Sequence, residues 1–303
     1  MDKLSAFQAF VSVVEQDGFA AAARKLGKSR SAVNRMVIEL ENDLATQLLN
    51  RTTRNVSPTA NGQAFYDRAK QILSSVADAE ESLRSHQEHA SGRVKINAPM
   101  SFGTLHLSSA IADFMAQHPG LEVELTLNDR IVDIVEEGYD LAVRIAEPDE
   151  ETTFVDFRLC KVRRLLVASP DYIRTRGKPA HPRELKTHAS LNYGAQSTES
   201  LWRLEGPEGP LRIRLNPVLC SNNGEVLRDG AVRGLGIAVL PTFIAGPDLQ
   251  QGRLVSVLDE FSPGPLVLSV IYPPARHLST KIRLLTDFLA ERFGSQPRWD
   301  LVT

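Results

Sequence analysis

The chain has 303 residues, of which 42% are hydrophobic and 24% charged, and its formal net charge is −2. This length predicts about two domains, and the ample apolar content excludes intrinsic disorder as the main state. No apolar run approaches the roughly 20 residues that a membrane helix needs, and the amphipathic N-terminus lacks the apolar core of a secretory signal. We therefore expect a cytoplasmic protein with no membrane partner.

The cysteine and histidine content argues against disulfides and metal sites. Cys160 and Cys220 lie far apart in strand-like sequence, whereas a zinc site needs a closer Cys/His cluster. His86 and His89 are three residues apart, which suits one side of a helix, yet no third ligand is indicated. We expect reduced and inert thiols, solvent-exposed histidines, and no metal or other cofactor.

Positive charge is concentrated near the N-terminus, although the whole chain is slightly acidic. Residues 24–54 contain seven basic and three acidic side chains. A basic segment on an acidic body suggests a module that binds a polyanion, joined to a part that has another role.

Apolar spacing in this region predicts three short helices. The first spans Leu4 to Val14, the second Phe19 to Leu26, and the third runs from a Ser29 cap to about Leu44. A tight glycine turn followed by a helix with polar first turns is typical of a helix-turn-helix, which presents those side chains to DNA bases. The DNA-binding candidates in this motif are Arg24, Ser29, Arg30, Ser31, Asn34 and Arg35.

A small hairpin is predicted next, from Gln47 to Val56, with Arg51 and Arg54 near its tip. Basic hairpin tips suit contacts to phosphates or to the minor groove. Together these elements predict a DNA-binding domain over residues 1–58. The alternative is a three-helix interaction domain whose basic face is simply solvated.

A long helix is predicted over residues 59–90, after the capping sequence Ser57-Pro58-Thr59. Its apolar residues follow a heptad pattern, which is typical of a helix that pairs with a second copy of itself. The predicted dimerisation residues are Phe65, Ala69, Ile72, Val76, Ala79 and Leu83. Packing of this helix on its own chain is the alternative, although such helices usually show a wider apolar stripe.

The remaining residues, 91–303, alternate strand and helix patterns, which predicts a mostly parallel sheet covered by helices. One short helix is expected at Ile131 to Glu137. The pattern repeats from Arg163 onward, so we predict two α/β lobes, formed by residues 91–162 with 266–303 and by residues 163–265. A cleft between two such lobes is a natural site for a small molecule.

Two predicted helix starts in this region carry short polar side chains. They lie at Ser101 and at Ser221-Asn222-Asn223, while Arg130 and Arg144 lie near a strand end. Helix N-termini and arginines favour a small anion. Plain helix capping and surface ion pairs explain the same residues equally well.

The chain carries no catalytic motif that we recognise. It lacks Gly-x-Ser-x-Gly, the full phosphate loop Gly-x-x-x-x-Gly-Lys-Ser/Thr, and His-Glu-x-x-His. Gly234-Leu235-Gly236 follows a predicted helix and precedes a strand, the reverse of a dinucleotide-binding loop, so we interpret it as the end of that helix. We expect a protein that is not an enzyme.

The order of these features resembles that of the LysR-type transcriptional regulators, and the resemblance covers essentially the whole chain. The run from Gly234 to Pro241 is similar to the effector-domain signature of that family. The family's winged helix-turn-helix is matched by Phe19 to Leu26, Ser29 to Arg35, Leu40-Glu41, Arg51 and Pro58-Thr59-Ala60-Asn61-Gly62. Three positions depart from the family pattern: Ala45 replaces a usual glycine, Leu49 a usual phenylalanine and Asn34 a common serine.

The resemblance implies an α + α/β architecture with an N-terminal winged helix-turn-helix, a long linker helix and a two-lobed effector domain similar to periplasmic binding proteins. It implies a regulator that binds double-stranded promoter DNA as a homodimer or homotetramer and responds to a small-molecule effector, a small anion being one option. Carried over, the family's base-reading residues are Arg30, Ser31, Asn34 and Arg35, with Arg51 and Arg54 on the DNA backbone. The effector-binding candidates are Met100, Ser101, Phe102, Asn128, Arg144 and Asn222.

Two other classes of protein remain as alternatives. One is a DNA-binding protein whose cleft is vestigial, so that no metabolite alters its DNA affinity. The other is an enzyme that uses the α/β lobes. Turnover of a metabolite would favour the enzyme, whereas a change in DNA binding would favour the regulator.

Overall fold

The computed structural model describes residues 2–51, 56–84, 90–148, 154–194, 201–274, 279–294, 297 and 299–300. Within these ranges, the side chains of residues 51, 74, 75 and 78–84 are not described. The chain forms two compact units, Met1–Glu88 with Leu278–Thr280, and His89–His277 with Lys281–Thr303. We call them the N-terminal unit and the C-terminal unit.

The N-terminal unit contains four helices and one hairpin in its described part. These elements are α1 (Lys3–Glu15), α2 (Phe19–Leu26), α3 (Arg30–Asp43), β1 (Leu49–Arg51), β2 (Val56–Pro58) and α4 (Ala60–Arg84). The two strands pair antiparallel, with Leu49 opposite Pro58, which confirms the predicted hairpin. Fully buried Phe10, Val33, Leu40 and Leu49 form the centre of its core.

The helix-turn-helix follows from local backbone chemistry. Gly27 ends α2 in the left-handed conformation, with φ at 62°, and the Ser29 Oγ then accepts the Ala32 backbone N–H at 3.1 Å to begin α3. The Glu41 carboxylate accepts the N–H groups of Leu48 and Leu49 at 2.9 and 3.1 Å, which ties α3 to the hairpin. The hairpin is therefore held in a fixed place beside α3.

Gly62 is required by the close approach of α4 to the hairpin. A β-carbon at this position would lie 1.9 Å from the Leu48 carbonyl oxygen, so no larger residue fits without a backbone shift. The Gly62 N–H donates to the Thr59 Oγ1 at 2.9 Å, and that hydroxyl also lies 2.8 Å from the Gln47 carbonyl oxygen. The sequence Pro58 to Gly62 thus joins the hairpin to α4.

The C-terminal unit contains two five-stranded sheets and a separate hairpin. The first sheet, in the order β4-β3-β5-β14-β6, consists of β3 (Gly92–Ala98), β4 (Leu121–Leu127), β5 (Leu141–Ala146), β6 (Val155–Val162) and β14 (Leu266–Tyr272). The second, in the order β11-β8-β12-β7-β13, consists of β7 (Arg164–Ala168), β8 (Ala189–Tyr193), β11 (Asn216–Ser221), β12 (Ile237–Pro241) and β13 (Val255–Ser256). The hairpin consists of β9 (Leu201–Gly206) and β10 (Gly209–Arg214). We call the parts built on the two sheets the first lobe and the second lobe.

Helices cover both sheets. They are α5 (Met100–Phe102), a π turn (Gly103–Leu107), α6 (Ser108–Gln117), α7 (Pro170–Arg176), a 3-10 helix (Pro182–Thr187), α8 (Gly224–Val232), α9 (Thr242–Gln250) and α10 (Thr280–Phe293). The Ser169 Oγ accepts the Tyr172 N–H at 3.2 Å and caps α7. In the described part of the chain, no helix is both long and apolar enough to cross a membrane.

The expectation of a mostly parallel sheet is wrong, because both sheets are mixed. In the first, β3 pairs parallel with β4 and β5, whereas β14 pairs antiparallel with β5 and β6. In the second, β8 pairs parallel with β11 and β12, whereas β7 pairs antiparallel with β12 and β13. The reversed strand in each sheet is the one that the chain enters on arrival from the other lobe. The alternation of strand and helix patterns along the sequence does not show where the chain passes from one lobe to the other, because β6 continues into β7 without a helix between them.

The helix expected at Ile131 to Glu137 is also wrong, since residues 134–138 form only turns. The Asp133 Oδ1 accepts the Val135 and Glu136 N–H groups at 2.9 and 2.8 Å, which begins a helical turn. Gly138 then takes φ at 72° and ends it at once. A capping aspartate and a stop glycine this close together leave room for a single turn.

Candidate functional site

The N-terminus of α3 presents polar side chains on one face and core residues on the other. Arg30, Ser31 and Arg35 are exposed and Asn34 is half-buried, while Val33 is fully buried. The Ser29 and Ser31 hydroxyls lie 3.0 Å apart. This face can therefore hydrogen-bond to base edges without disturbing the core.

Several basic residues around this face have no acidic partner in the described part of the chain. Arg24, Lys28 and Arg30 are exposed and form no ion pair there, whereas the Lys25 Nζ lies 2.9 Å from a Glu15 carboxylate oxygen. The Arg35 Nε lies 3.6 Å from a Glu39 carboxylate oxygen at the surface. Unpaired cations at a helix start make an electropositive surface suited to phosphates.

The two remaining DNA-binding candidates are only partly covered by the structure. Arg51 is the last residue of β1, next to the turn of the hairpin, and its side chain is not described. Arg54 lies outside the described residues. Their role stays a prediction.

The predicted dimerisation stripe on α4 needs a correction. Ala69 is fully buried in the core of the N-terminal unit, and the Phe65 ring packs 5.2 Å from the Phe7 ring and 5.5 Å from the Phe10 ring, centroid to centroid. These two residues therefore pack on their own chain, because α4 lies against α1. Ile72 is 44% exposed and Val76 is half-buried, so neither of these two stripe residues is fully covered by the core of the unit. The side chains of Ala79 and Leu83 lie outside the described ones.

The C-terminal unit contains a cavity of about 720 Å³ that is lined by both lobes. Four of the six effector-binding candidates line it, namely Ser101, Phe102, Asn128 and Arg144. From the second lobe it is lined by Asn192, Tyr193, Leu201, Trp202 and Gly224, among others. A concave site of this size suits a small molecule.

Met100 and Asn222 are not among the described residues that line this cavity. Met100 lies in the first turn of α5, but its side chain is 40% exposed and only its backbone N–H is engaged, by the Asp129 Oδ1 at 3.1 Å. The cap of α8 is Asn223 rather than Asn222, since the Asn223 Oδ1 accepts two N–H groups of the first turn. Gly224 follows that cap and faces the cavity.

Two buried polar atoms of residues that line the cavity lack a hydrogen-bond partner among the described residues. The Arg144 Nη1 donates to the Asn97 Oδ1 at 2.7 Å and to the Val143 carbonyl oxygen at 3.3 Å, but the Arg144 Nη2 is left without an acceptor. The Asn128 Oδ1 is left without a donor. Burial lowers the pKa of Arg144, although an arginine remains charged. A buried guanidinium with an unused N–H group is costly unless something accepts from it.

The other charged groups around the cavity are mostly paired. The Arg130 guanidinium forms two hydrogen bonds with the Glu137 carboxylate, one of them at 2.6 Å. The Arg164 side chain donates to the carbonyl oxygens of Pro263 and Gly264, which lie where the chain returns to the first lobe. Asp129 pairs with no described cation, and burial raises the pKa of its carboxyl group.

Sequence reasoning missed Asn97, Asp129, Arg164, Tyr193 and Trp202. Asn97 lies inside a strand, where the alternation of side chains shows only which face of the sheet a residue lies on and not what it contacts. Arg164 and Trp202 belong to the second lobe and reach the cavity only through tertiary structure. No group of three or more described His, Cys, Asp or Glu residues could hold a metal ion.

Two family descriptions match this chain. Residues 4–63 match "Bacterial regulatory helix-turn-helix protein, lysR family", and residues 87–294 match "LysR substrate binding domain". The two matches together cover most of the chain.

Individual relatives agree over nearly the full length. An uncharacterised HTH-type transcriptional regulator of Haemophilus influenzae is 35% identical, covering 93% of this chain and 98% of the relative. The HTH-type transcriptional regulator PtxR of Pseudomonas aeruginosa is 32% identical, covering 97% and 94%. Among solved structures, CrgA, a LysR-type transcriptional regulator from Neisseria meningitidis, has a TM-score of 0.61 at 28% identity, covering 95% of this chain and 97% of CrgA.

Proposed function

Because the chain belongs to the family of LysR-type DNA-binding transcriptional regulators, we propose that its affinity for a promoter changes when a small molecule binds in the cavity of its C-terminal unit. The family is one of regulators and not of enzymes. The observation that carries the proposal is the cavity itself, where the Arg144 Nη2 and the Asn128 Oδ1 are buried without partners.

We assign DNA recognition to a domain of residues 1–58. Arg30, Ser31, Asn34 and Arg35 read bases from the start of α3, with Ser29 as its cap. Arg24, Arg51 and Arg54 supply contacts to the DNA backbone. The exposed polar face and its unpaired cations support this assignment. Since the promoter lies in the cytoplasm, we place the protein there.

If two DNA-binding domains occupy one operator, the protein must be an oligomer. We propose a homodimer or homotetramer joined through the linker helix of residues 59–90. The exposed Ile72 and half-buried Val76 support this, because an apolar residue on a helix surface is best buried against another chain. Ala79 and Leu83 continue the same heptad spacing toward the end of α4.

We assign effector sensing to residues 91–303, with lobes of 91–162 plus 266–303 and of 163–265. Ser101, Phe102, Asn128 and Arg144 form the first-lobe side of the site. The effector must prefer one arrangement of the molecule over another, since binding without preference shifts no equilibrium.

A gel shift of the divergently transcribed neighbouring promoter tests the proposal, with and without pooled metabolites. We expect the wild-type chain to shift the duplex and one metabolite fraction to alter that shift. Arg144→Met should keep the shift and lose the response, whereas Arg158→Met, an exposed arginine on β6, should keep both. A shift that no fraction alters would remove the sensing role, and turnover of the metabolite would point to an enzyme.

A further inference from the structure

Among the charged groups that line the cavity, and apart from the exposed Arg203, one cation and one anion have no charged partner in the described part of the chain. Arg130 pairs with Glu137, and the Arg164 Nη2 lies 3.7 Å from a Glu147 carboxylate oxygen. Arg203 is exposed on β9. This leaves Arg144 and Asp129, each of which forms no ion pair with a described residue. A ligand that carries both a negative and a positive group would neutralise both.

The strand register places Asn128 and Arg144 at the same position along the strand direction of the first sheet. Asn97 lies opposite Thr126 of β4 and Ala142 of β5, both parallel neighbours. Asn128 and Arg144 are each two residues further on, and the hydrogen bond from the Asn128 N–H to the Ala98 carbonyl oxygen, at 3.0 Å, extends this register past the end of β4. The two residues therefore point to the same side of the sheet, with backbones about two strand spacings, or roughly 10 Å, apart.

The arginine side chain shortens that gap. It reaches β3, the strand between the two residues, where its Nη1 lies 2.7 Å from the Asn97 Oδ1, and its Nη2 is buried without an acceptor among the described residues. The Asn128 Oδ1 needs a donor, and the neighbouring Asp129 carboxylate needs a cation. A primary ammonium group has three N–H donors and one positive charge, which satisfies both.

The lining of the cavity also includes apolar side chains from both lobes. Ile131 lines it from the first lobe and is 96% exposed. Tyr193 and Leu201, both exposed, and buried Trp202 line it from the second lobe. Apolar side chains in the lining of a cavity, several of them exposed, favour a ligand with an apolar part. An acid with a second charged or hydroxylated end would leave these side chains in water.

We infer that the effector is an α-amino acid with an apolar side chain. Its carboxylate accepts from the Arg144 Nη2, and its ammonium group donates to the Asn128 Oδ1 and the Asp129 carboxylate. Its side chain lies against Ile131, Tyr193, Leu201 and Trp202. The inference rests on the proposed effector-sensing role of the same cavity and names the chemical class of the effector.

Binding of matched probes to the full chain tests this inference. Isothermal titration is done with L-phenylalanine, with 3-phenylpropionate, which lacks the amino group, with phenethylamine, which lacks the carboxylate, and with L-serine, which lacks the apolar side chain. We expect L-phenylalanine to bind at least about tenfold more tightly than each of the others, since loss of a charge-assisted hydrogen bond, or of the contacts of an apolar side chain, costs that much.

Three variants locate the contacts. Asp129→Asn should reduce the preference for L-phenylalanine over 3-phenylpropionate to about threefold or less, because a neutral amide replaces the counterion. Ile131→Ser should weaken the binding of L-phenylalanine and leave the affinity for L-serine unchanged. Val218→Ser, at a 56% exposed valine on β11 that does not line the cavity, should change neither.

Equal affinity for L-phenylalanine and 3-phenylpropionate would overturn the amino-acid assignment. So would a promoter shift that responds to a metabolite fraction but to no apolar amino acid, and in that case the sensing role itself would stand. If no fraction alters the shift, the sensing role fails together with this inference.

Discussion

Ala45 is held in a backbone conformation that favours glycine. Its φ is 47°, where a β-carbon crowds the neighbouring carbonyl group, and the residue is exposed after α3. Relief of that strain outweighs the added freedom of an unfolded glycine, so Ala45→Gly should raise the free energy of unfolding by about 0.5–1 kcal/mol. Thermal unfolding of the full chain measures the change. Ala77→Gly, inside α4, should lower stability by a similar amount, and equal effects of both variants would refute this argument.

Arg30 is the residue best placed to test base recognition. It is the first residue of α3, it is exposed, and it pairs with no described carboxylate. Loss of a bidentate contact to a base costs about 1–3 kcal/mol, so Arg30→Ala should weaken operator binding by that amount. Fluorescence anisotropy with the operator and a scrambled duplex measures the loss of specificity. Arg176→Ala, in the C-terminal unit, should have no effect, and unchanged operator affinity for Arg30→Ala would remove that residue from the interface.

Single residues were predictable from sequence where their role is local. Ser29 caps α3 and Ser169 caps α7, as their position before a helical pattern indicates. Asp129 and Tyr193 were not predictable, because they come to the cavity from different lobes. Met100 does not line the cavity, because a family resemblance can place a residue at a helix start without showing which way its side chain faces.

At the scale of single elements, α4 divides into two functional parts. Phe65 and Ala69 hold it to the core of its own unit, whereas Ile72, which is 44% exposed, and half-buried Val76 are the described stripe residues that we propose pair with another chain. Val76→Asp should therefore split the oligomer, because it places a charge in an apolar seam. Sedimentation velocity measures the change in mass. Ala77→Asp adds the same charge at an exposed neighbouring position and should leave the oligomer intact. If Val76→Asp sediments as the wild type does, the seam lies elsewhere.

The π turn between α5 and α6 places the imidazole of His106 against a cluster of aromatic side chains. The His106 Nε2 hydrogen-bonds with the Phe243 carbonyl oxygen at 3.0 Å, and its ring lies 4.9 Å from that of Trp299. Burial lowers the pKa of His106 below its usual value of 6.5, and burial likewise lowers the pKa of His188.

The depressed pKa makes stability depend on pH. Below pH 6.5 the unfolded chain takes up a proton more readily than the folded chain, so stability should fall as the pH drops from 6.5 toward the folded-state pKa. Chemical unfolding at pH 5.5 and pH 7.5 measures this fall. His106→Gln should reduce it and leave the part contributed by His188. A fall of the same size in the variant would show that His106 does not contribute.

Element types were largely predictable, whereas their pairing was not. Periodicity located the helices of the N-terminal unit and indicated the mixture of strands and helices in the C-terminal unit. Strand direction depends on which lobe the chain arrives from, and β14 pairs with β5 and β6 across more than a hundred residues of sequence. The heptad spacing on α4 predicts one continuous surface, because spacing alone does not show that α1 covers its first half.

At the scale of the whole molecule, the two units have different chemistry. The N-terminal unit carries unpaired surface cations, and the C-terminal unit carries a cavity with unpaired buried groups. Coupling between DNA and effector must then be reciprocal: an effector that weakens promoter binding by some factor is itself bound more weakly, by the same factor, on the promoter. Effector affinity measured with and without operator duplex should show that equality.

The central claim is that two copies of this chain bind duplex DNA together. Sedimentation velocity of the full chain with a labelled duplex of its neighbouring promoter tests it most directly. We predict an oligomer in the absence of DNA and a complex with at least two chains per duplex, which dissociates steeply as salt is raised. A chain that sediments as a monomer and leaves the duplex free even at low salt would contradict the account.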